Sequence, residues 1–118
     1  ERYRVPPSTW EAVQAADRVV AVGTTSVRAL ESAAATGELS GRTELFLFPG
    51  APIHVVDVLL TNFHLPRTTL LLMIEALIGP RWRDLYRCAL DEGYRFLSFG
   101  DAMLLNRHAA FPGHAGRV

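Results

Sequence analysis

The stretch that most constrains the fold is "RVVAVGTTSVRALESAAATG", at residues 18–37. It begins with a short run of β-branched apolar residues that ends at Gly23, which is typical of a buried strand. The part after Gly23 is rich in alanine and ends at Gly37, which predicts a helix with a glycine stop. A buried strand, a tight turn and a helix in this order are the building unit of layered α/β folds.

Strand-like and helical patterns alternate along the rest of the chain. Further strands are predicted at 43–48, 53–60 and 94–99. With the first strand, they predict an α/β fold, a layered α/β/α domain around a mixed, largely parallel sheet. Residues 1–105 are expected to belong to this domain, and 106–118 are expected to form a flexible tail.

Three further helices are predicted. A Pro-rich lead-in precedes a short helix that Ser8 or Thr9 is expected to cap. The apolar run that starts at 68 or 69 and ends at 78 is too dense for a surface helix, so we assign it to the core. The run 82–90 spaces its apolar residues as one amphipathic helix. Cys88 falls within that run, and we expect a buried structural thiol there.

The composition excludes several classes of protein. Basic and acidic residues balance at 12 each, so the chain shows no bulk attraction for nucleic acid. Its basic residues are all arginine, which indicates either selection for bidentate phosphate contacts or a GC-rich coding bias, and we favour the coding bias because alanine, glycine and leucine are abundant too. No apolar run reaches the roughly 18 residues of a membrane span, no signal-peptide pattern is visible and a single cysteine forms no disulfide framework. A cytoplasmic protein without membrane contact is expected. No ligand spacing predicts a metal, and no phosphate-binding glycine motif is present.

Sheets of this class bind ligands outside the carboxyl ends of their strands, which directs attention to the polar segment "GTTSVR". Gly23 there allows close approach to the backbone, and the hydroxyl residues that follow either cap the next helix or hold a phosphate, carboxylate or ribose hydroxyl. Arg28 either supports such a ligand or pairs with Glu31. The candidate binding residues of this segment are Gly23, Thr24, Thr25, Ser26 and Arg28.

Two more polar segments are candidates. In "TNFHLPRTT", Pro66 favours extended backbone before it, so Asn62 and His64 are expected to point to the same side. An Asn amide can read a base or a carboxylate, a neutral His takes up a proton near pH 7 and Arg67 grips a phosphate. A buried His bonded to a carbonyl is the alternative, but the grouping of three favours a site. In "SFGDAM", Asp101 either binds a ribose hydroxyl or an amine, or caps a turn. The residues alone point to a nucleotide-like ligand.

Three motifs make the functional prediction more specific: "AVGTTSVRALES", "VVDVLLTNFHLPRTTLLLM" and "EGYRFLSFGDAML". In this order and spacing they closely resemble the C-terminal part of the S-adenosylmethionine:tRNA ribosyltransferase-isomerase family of queuosine biosynthesis, over about residues 18–105. The resemblance implies an enzyme that uses S-adenosylmethionine as a ribosyl donor. Its ribosyl moiety is moved to 7-aminomethyl-7-deazaguanine at the wobble position of tRNA, forming epoxyqueuosine with release of adenine and methionine.

The resemblance also implies an α/β domain with a β-barrel domain inserted in an earlier part of the chain. This chain is therefore expected to be a C-terminal fragment, inactive alone, that needs the N-terminal part of the same protein. His64 is the candidate for proton transfer, Asn62 for orienting adenine or ribose, and Arg67 for contacting tRNA phosphate. The start of the helix after Gly23 is expected to hold the methionine carboxylate or a phosphate.

Departures from the family pattern leave two alternatives open. Arg67 and Thr68 replace the usual Lys-Ser, and "PGAPIH" lacks the aromatic and basic residues that usually follow Pro-Gly. The alternatives are a diverged, non-catalytic RNA-binding paralogue and an enzyme of the same fold that acts on a small nucleoside.

Overall fold

The computed structural model describes residues 2–43, 45, 47, 49–63, 69–95 and 101–107. Its elements in chain order are strand β1 (Arg2–Arg4), helix α1 (Pro7–Ala15), strand β2 (Val20–Val22), helix α2 (Thr24–Thr36), strand β3 (Ser40–Arg42), strand β4 (Val58–Asn62), helix α3 (Thr69–Ile78), a 3₁₀ turn (Gly79–Arg81), helix α4 (Trp82–Asp91) and strand β5 (Ala102–Asn106). The predictions of β2, α2, α3 and α4 are confirmed. Within these ranges, no helix has the length and apolar character needed to cross a membrane.

The sheet that positions the candidate site has the strand order β2-β4-β5. Strands β2 and β4 are parallel, with Ala21 opposite Leu59. Strands β4 and β5 are antiparallel, with Leu59 opposite Leu105. The predicted α/β class with a mixed sheet is therefore confirmed. Strands β1 and β3, which the sequence does not predict, form a separate antiparallel ribbon.

The hydrophobic core lies against one face of this sheet. Ala21, Leu59 and Leu105 lie side by side across the three strands, and all are buried. They belong to one cluster with Val27 of α2 and Ile74 of α3, both 0% exposed. Both helices therefore pack on the same face, and each large aliphatic side chain buried there stabilises the fold by about 1.5–3 kcal/mol.

The opposite face of the sheet is open over the described part of the chain. Val22, Leu60 and Leu104 are lateral neighbours on it, and they are 65%, 37% and 62% exposed. A contiguous apolar row of this kind is a surface that another element normally covers. In an α/β/α arrangement the second helical layer belongs on this face.

Helix α1 packs loosely, since none of its residues is buried. Its N-cap is Pro6, and no side chain caps it. The prediction that Ser8 or Thr9 caps this helix is wrong, because both lie inside its first turn. Pro7 occupies the first helical position, where its missing N–H needs no partner, so the helix starts earlier than the hydroxyl residues indicate.

Strand β4 starts at Val58, whereas the sequence predicts a strand from Ile53. The preceding backbone is bonded to the carboxylate of Glu31, which is 1% exposed, instead of to a neighbouring strand. Backbone N–H groups need one partner each, so this carboxylate replaces strand pairing there. Its three donors are His54, Val55 and Val56, at 2.7, 2.8 and 2.8 Å.

The other two predicted strands also differ. The described residues of 43–48, at 43, 45 and 47, have no strand pairing, and neither do Tyr94 and Arg95 of the predicted strand 94–99. Strand β5 instead occupies a segment in which the sequence predicts a turn and the start of the tail. Its alternation of exposed and buried residues spans only five positions, which is too short to stand out without its partner strand. Residues 108–118 of the predicted tail lie outside the described residues.

Cys88 is exposed, so the prediction of a buried thiol is wrong. The buried stripe of α4 runs through Tyr86 and Ala89, and Cys88 lies off it. Leu90, included in the predicted apolar face, is also 65% exposed. An amphipathic pattern identifies the helix, whereas the partner element decides how wide its buried stripe becomes.

An ion pair holds the end of the sheet remote from the carboxyl ends of β2 and β4. An Asp57 oxygen lies 3.0 Å from the Arg107 guanidinium, and the two side chains are 12% and 7% exposed. The second Asp57 oxygen accepts the Val19 N–H at 2.9 Å, and Arg107 also donates to the Ile53 carbonyl at 2.8 Å. This cluster joins the segments that lead into β2 and β4 to the end of β5.

Candidate functional site

Parts of the three polar segments converge at one edge of the sheet. Strands β2 and β4 end at this edge because they are parallel, and β5 starts there because it is antiparallel to β4. The Gly23 N–H donates to the Leu60 carbonyl at 2.8 Å, and Asn62 Nδ2 donates to the Asp101 carbonyl at 3.3 Å. Gly23, Asn62 and Asp101 thus lie at the same edge of three adjacent strands, in the position where sheets of this class bind ligands.

Gly23 forms the turn between β2 and α2. It is the N-cap of α2 with φ +87° and ψ 151°, and no side chain caps the helix. The prediction that Thr24, Thr25 or Ser26 provides the cap is therefore wrong: these residues already lie in the first helical turn. The Ser26 hydroxyl donates back to the Val22 carbonyl at 2.9 Å. The first turn thus presents its backbone N–H groups and about half a positive charge at this edge.

The space around Gly23 is open. A Cβ atom placed on it would meet no atom within 4 Å among its neighbours, so the positive φ, and not crowding, favours glycine here. A ligand can therefore approach the backbone between β2 and α2 closely. Open space and an N-terminal helix turn without a side-chain cap suit a carboxylate or phosphate group.

Asn62 ends β4 with an exposed side chain on the open face, and Phe63 turns inward directly after it. Phe63 is 1% exposed and packs edge to face against Tyr86 and Tyr94, with ring centroids 5.5 and 5.8 Å away. Phe63 therefore anchors the chain where the segment 64–68 begins. This anchor is missed by the sequence reasoning, although the alternation of Asn62 and Phe63 at a strand end is a signal for it. His64 and Arg67 lie outside the described residues.

Asp101 directly precedes β5. Its Oδ2 atom accepts the Arg95 backbone N–H and lies 3.5 Å from the Arg95 Nε. The carboxylate thus holds the two ends of the 95–101 segment together, which corresponds to the turn-capping alternative. Its side chain is 34% exposed, so this edge of the sheet also presents it to solvent.

Arg28 faces another direction. Its guanidinium donates to the Leu45 carbonyl at 3.2 Å, while both oxygens of Glu31 accept backbone N–H groups. Arg28 also lines a cavity of about 280 Å³ with Thr25, Ser26 and residues of β1. The structure therefore divides the predicted binding residues between two places, the sheet edge at Gly23, Asn62 and Asp101, and this cavity beside α2.

A cavity of about 820 Å³ lies near the other end of the sheet and contains none of the predicted site residues. It opens between α1 and the residues around His54 and Asp57, where α1 buries none of its side chains. Loose packing of α1 explains this space without any chemistry. Within the described ranges, no three His, Cys, Asp or Glu side chains are grouped so that they hold a metal ion.

The fold and the strand-end site define an α/β domain that presents polar side chains and a helix N-terminus at the carboxyl edge of its sheet. The chain belongs to the family described as "Queuosine biosynthesis protein", whose sequence profile matches residues 1–105. It is also similar to the crystal structure of an S-adenosylmethionine tRNA ribosyltransferase from Thermotoga maritima. The TM-score is 0.82 at 44% sequence identity, and the match covers 87% of this chain and 40% of that chain. This chain therefore corresponds to less than half the length of that relative.

Proposed function

We propose that this chain is the C-terminal part of an S-adenosylmethionine:tRNA ribosyltransferase-isomerase that acts in the cytoplasm. The reaction moves the ribosyl moiety of S-adenosylmethionine to 7-aminomethyl-7-deazaguanine in tRNA and releases adenine and methionine. The observation that carries this proposal is the meeting of Gly23, Asn62 and Asp101 at one sheet edge. Membership of the family supports it, and so does the similarity to a protein described as a tRNA ribosyltransferase.

In this proposal the first turn of α2 binds an anionic group of the substrates. The methionine carboxylate or a phosphate is attracted by the helix N-terminus, and Gly23 leaves room for it. Asn62 is exposed beside this turn and orients adenine or ribose through its amide. Asp101 adds a carboxylate at the same edge for a ribose hydroxyl or an amine.

Proton transfer is assigned to His64. Forming an epoxide from the ribose requires a proton to leave the carbon beside the sulfonium while adenine departs, so the site needs a base and a hydrogen-bond donor near the purine. His64 is two residues from Asn62 in the chain and follows the anchored Phe63. Arg67 lies three residues further on and is assigned to a tRNA phosphate.

The remainder of the protein is needed to complete this site. The match covers 40% of the similar ribosyltransferase. The apolar row of the open face, at Val22, Leu60 and Leu104, lies next to the sheet edge that carries the candidate site. The N-terminal part of the same protein is the partner that we expect on this face. Activity therefore has to be measured on the full-length protein.

The test is adenine release from S-adenosylmethionine by the full-length protein, with and without tRNA that carries 7-aminomethyl-7-deazaguanine. For His64→Gln we expect turnover to fall by a factor on the order of 100 to 10,000, with melting temperature and S-adenosylmethionine affinity nearly unchanged. The matched control is His54→Gln, whose exposed side chain lies near the other end of the sheet and should leave turnover unchanged.

Three results would contradict the proposal in different ways. Turnover retained by a stable His64→Gln variant would remove His64 from the chemistry. A full-length protein that binds tRNA without releasing adenine would be a non-catalytic RNA-binding paralogue. Adenine release that does not require tRNA would indicate an enzyme for a small nucleoside.

A further inference from the structure

The β1–β3 ribbon carries three arginines on one side. Arg2 lies directly opposite Arg42 in the antiparallel register, and Arg4 follows Arg2 by two residues. Directly opposed residues project to the same side of an antiparallel pair, as do residues two apart in one strand. All three arginines are exposed, so three guanidinium groups share one solvent-facing side.

The folding of the ribbon does not require this charge. Like charges directly opposite each other destabilise an antiparallel pair, so placing Arg2 across from Arg42 weakens the ribbon. Its six residues, at 2–4 and 40–42, include three arginines and no acid, although the whole chain has equal numbers of both. Among the described residues, none of the three arginines takes part in an ion pair. An external anion would offset this repulsion.

The ribbon is fixed to helix α2 through Tyr3. The Tyr3 hydroxyl donates to the Glu38 carbonyl at 2.8 Å and lies 3.1 Å from the Thr36 hydroxyl, at the end of α2. Its ring packs beside Gly41, the residue opposite it in β3, and the Val5 N–H continues the pairing to the Leu39 carbonyl at 2.6 Å. The arginines are thus presented by an anchored element, which reduces the entropy lost on binding.

We propose that Arg2, Arg4 and Arg42 form a docking surface for the phosphate backbone of the tRNA substrate. This inference rests on the proposed function, because it names the surface that receives the same tRNA. A guanidinium group binds phosphate oxygens in a bidentate geometry, and phosphate contacts position an RNA without reading its sequence.

The position of the ribbon favours RNA as the partner. Arg2 and Arg4 line the cavity of about 280 Å³ together with Thr25 and Ser26, which belong to the first turn of α2. Arg2 and Arg4 therefore border the same cavity as the start of α2, and that helix start also lies at the candidate site. An RNA that places one phosphate at the start of α2 can place a neighbouring phosphate at Arg2 or Arg4 across this cavity.

The experiment uses the full-length protein and measures the dissociation constant of precursor-bearing tRNA at several salt concentrations. The variant Arg2→Gln/Arg42→Gln removes the directly opposed pair, and Arg83→Gln/Arg87→Gln removes the same charge from exposed positions of α4. The ribbon variant should raise the dissociation constant on the order of 10-fold near physiological salt. Its log–log salt slope should fall by roughly 0.7 to 0.9 for each lost phosphate contact. The melting temperature should not fall, because the variant removes the repulsion between Arg2 and Arg42, and the S-adenosylmethionine affinity should stay at the wild-type value.

The outcomes separate the two proposals. If the wild type binds and modifies tRNA but the ribbon variant keeps its affinity and salt slope, the docking surface is refuted and the proposed function stands. An equal loss in the α4 variant also refutes it, since the effect would then come from net charge alone. If the ribbon variant loses the binding to phosphatidylserine vesicles that the wild type shows, while its tRNA binding stays intact, the docking surface for tRNA is refuted and the ribbon is assigned to a membrane surface. A wild type that binds no tRNA overturns both proposals.

Discussion

Replacing Glu31 by Gln should destabilise the fold strongly, although it hardly changes the shape of the side chain. Its carboxylate is buried and accepts three backbone N–H groups, one on Oε1 from His54 and two on Oε2 from Val55 and Val56. These three hydrogen bonds join α2 to the segment that leads into β4. Helix α2 begins at the candidate site, and β4 ends there. Glu31→Gln keeps the side-chain volume but leaves one acceptor oxygen and adds an NH₂ group.

The magnitude follows from these contacts. Placing the amide oxygen at the Oε2 position keeps the bonds from Val55 and Val56, but each weakens by about 1 kcal/mol because the acceptor is no longer charged. The NH₂ group then faces the His54 N–H, and an unsatisfied backbone donor costs about 1–3 kcal/mol. We expect Glu31→Gln to lower the free energy of unfolding by about 3–5 kcal/mol, a large part of the roughly 5–15 kcal/mol typical of a domain.

The assay is urea and thermal unfolding of the 118-residue chain, followed by the fluorescence of its two tryptophans. A loss of this size lowers the melting temperature by on the order of 10–25 °C in a domain of this length. The exposed Glu38→Gln is the matched control and should stay within about 0.5 kcal/mol of the wild type. If the free energy of unfolding of Glu31→Gln lies within about 1 kcal/mol of the wild-type value, the three hydrogen bonds to Glu31 contribute little and the prediction is refuted.

Two further predictions concern the turn at the site and the remote end of the sheet. Gly23→Asn should lower the free energy of unfolding by about 1–3 kcal/mol, because φ +87° with ψ 151° is a region nearly restricted to glycine. The control Gly37→Asn, in the left-handed conformation at the end of α2, should lower it by less than about 1 kcal/mol, and equal melting temperatures for the two variants would contradict this prediction. Asp57→Asn should lower the free energy of unfolding, measured in urea, by about 3 kcal/mol, because it removes a charge partner of the buried Arg107. The double variant Asp57→Asn/Arg107→Gln should recover part of that loss, and a double variant less stable than the single one would be evidence against the ion pair.

Several elements could be predicted from local sequence alone. Gly23 and Gly37 mark both ends of α2, and the density of apolar residues between 69 and 78 identifies α3. Helical hydrogen bonds join residues four apart, so the information that starts, maintains and ends a helix lies within its own segment. The polar residues Asn62 and Asp101 could be named as candidates for the same reason, because they stand beside apolar runs.

The partners of the strands and of the polar residues were decided only by the tertiary structure. Strand hydrogen bonds come from segments far away in the chain, so the sequence shows neither that β5 runs antiparallel to β4 nor that Asp101 therefore meets Asn62. For the same reason the apolar run before Val58 is predicted as a strand, although its N–H groups donate to the Glu31 carboxylate of α2. Local signals specified the helices and the candidate residues. Contacts between distant segments decided which of those residues share an edge of the sheet.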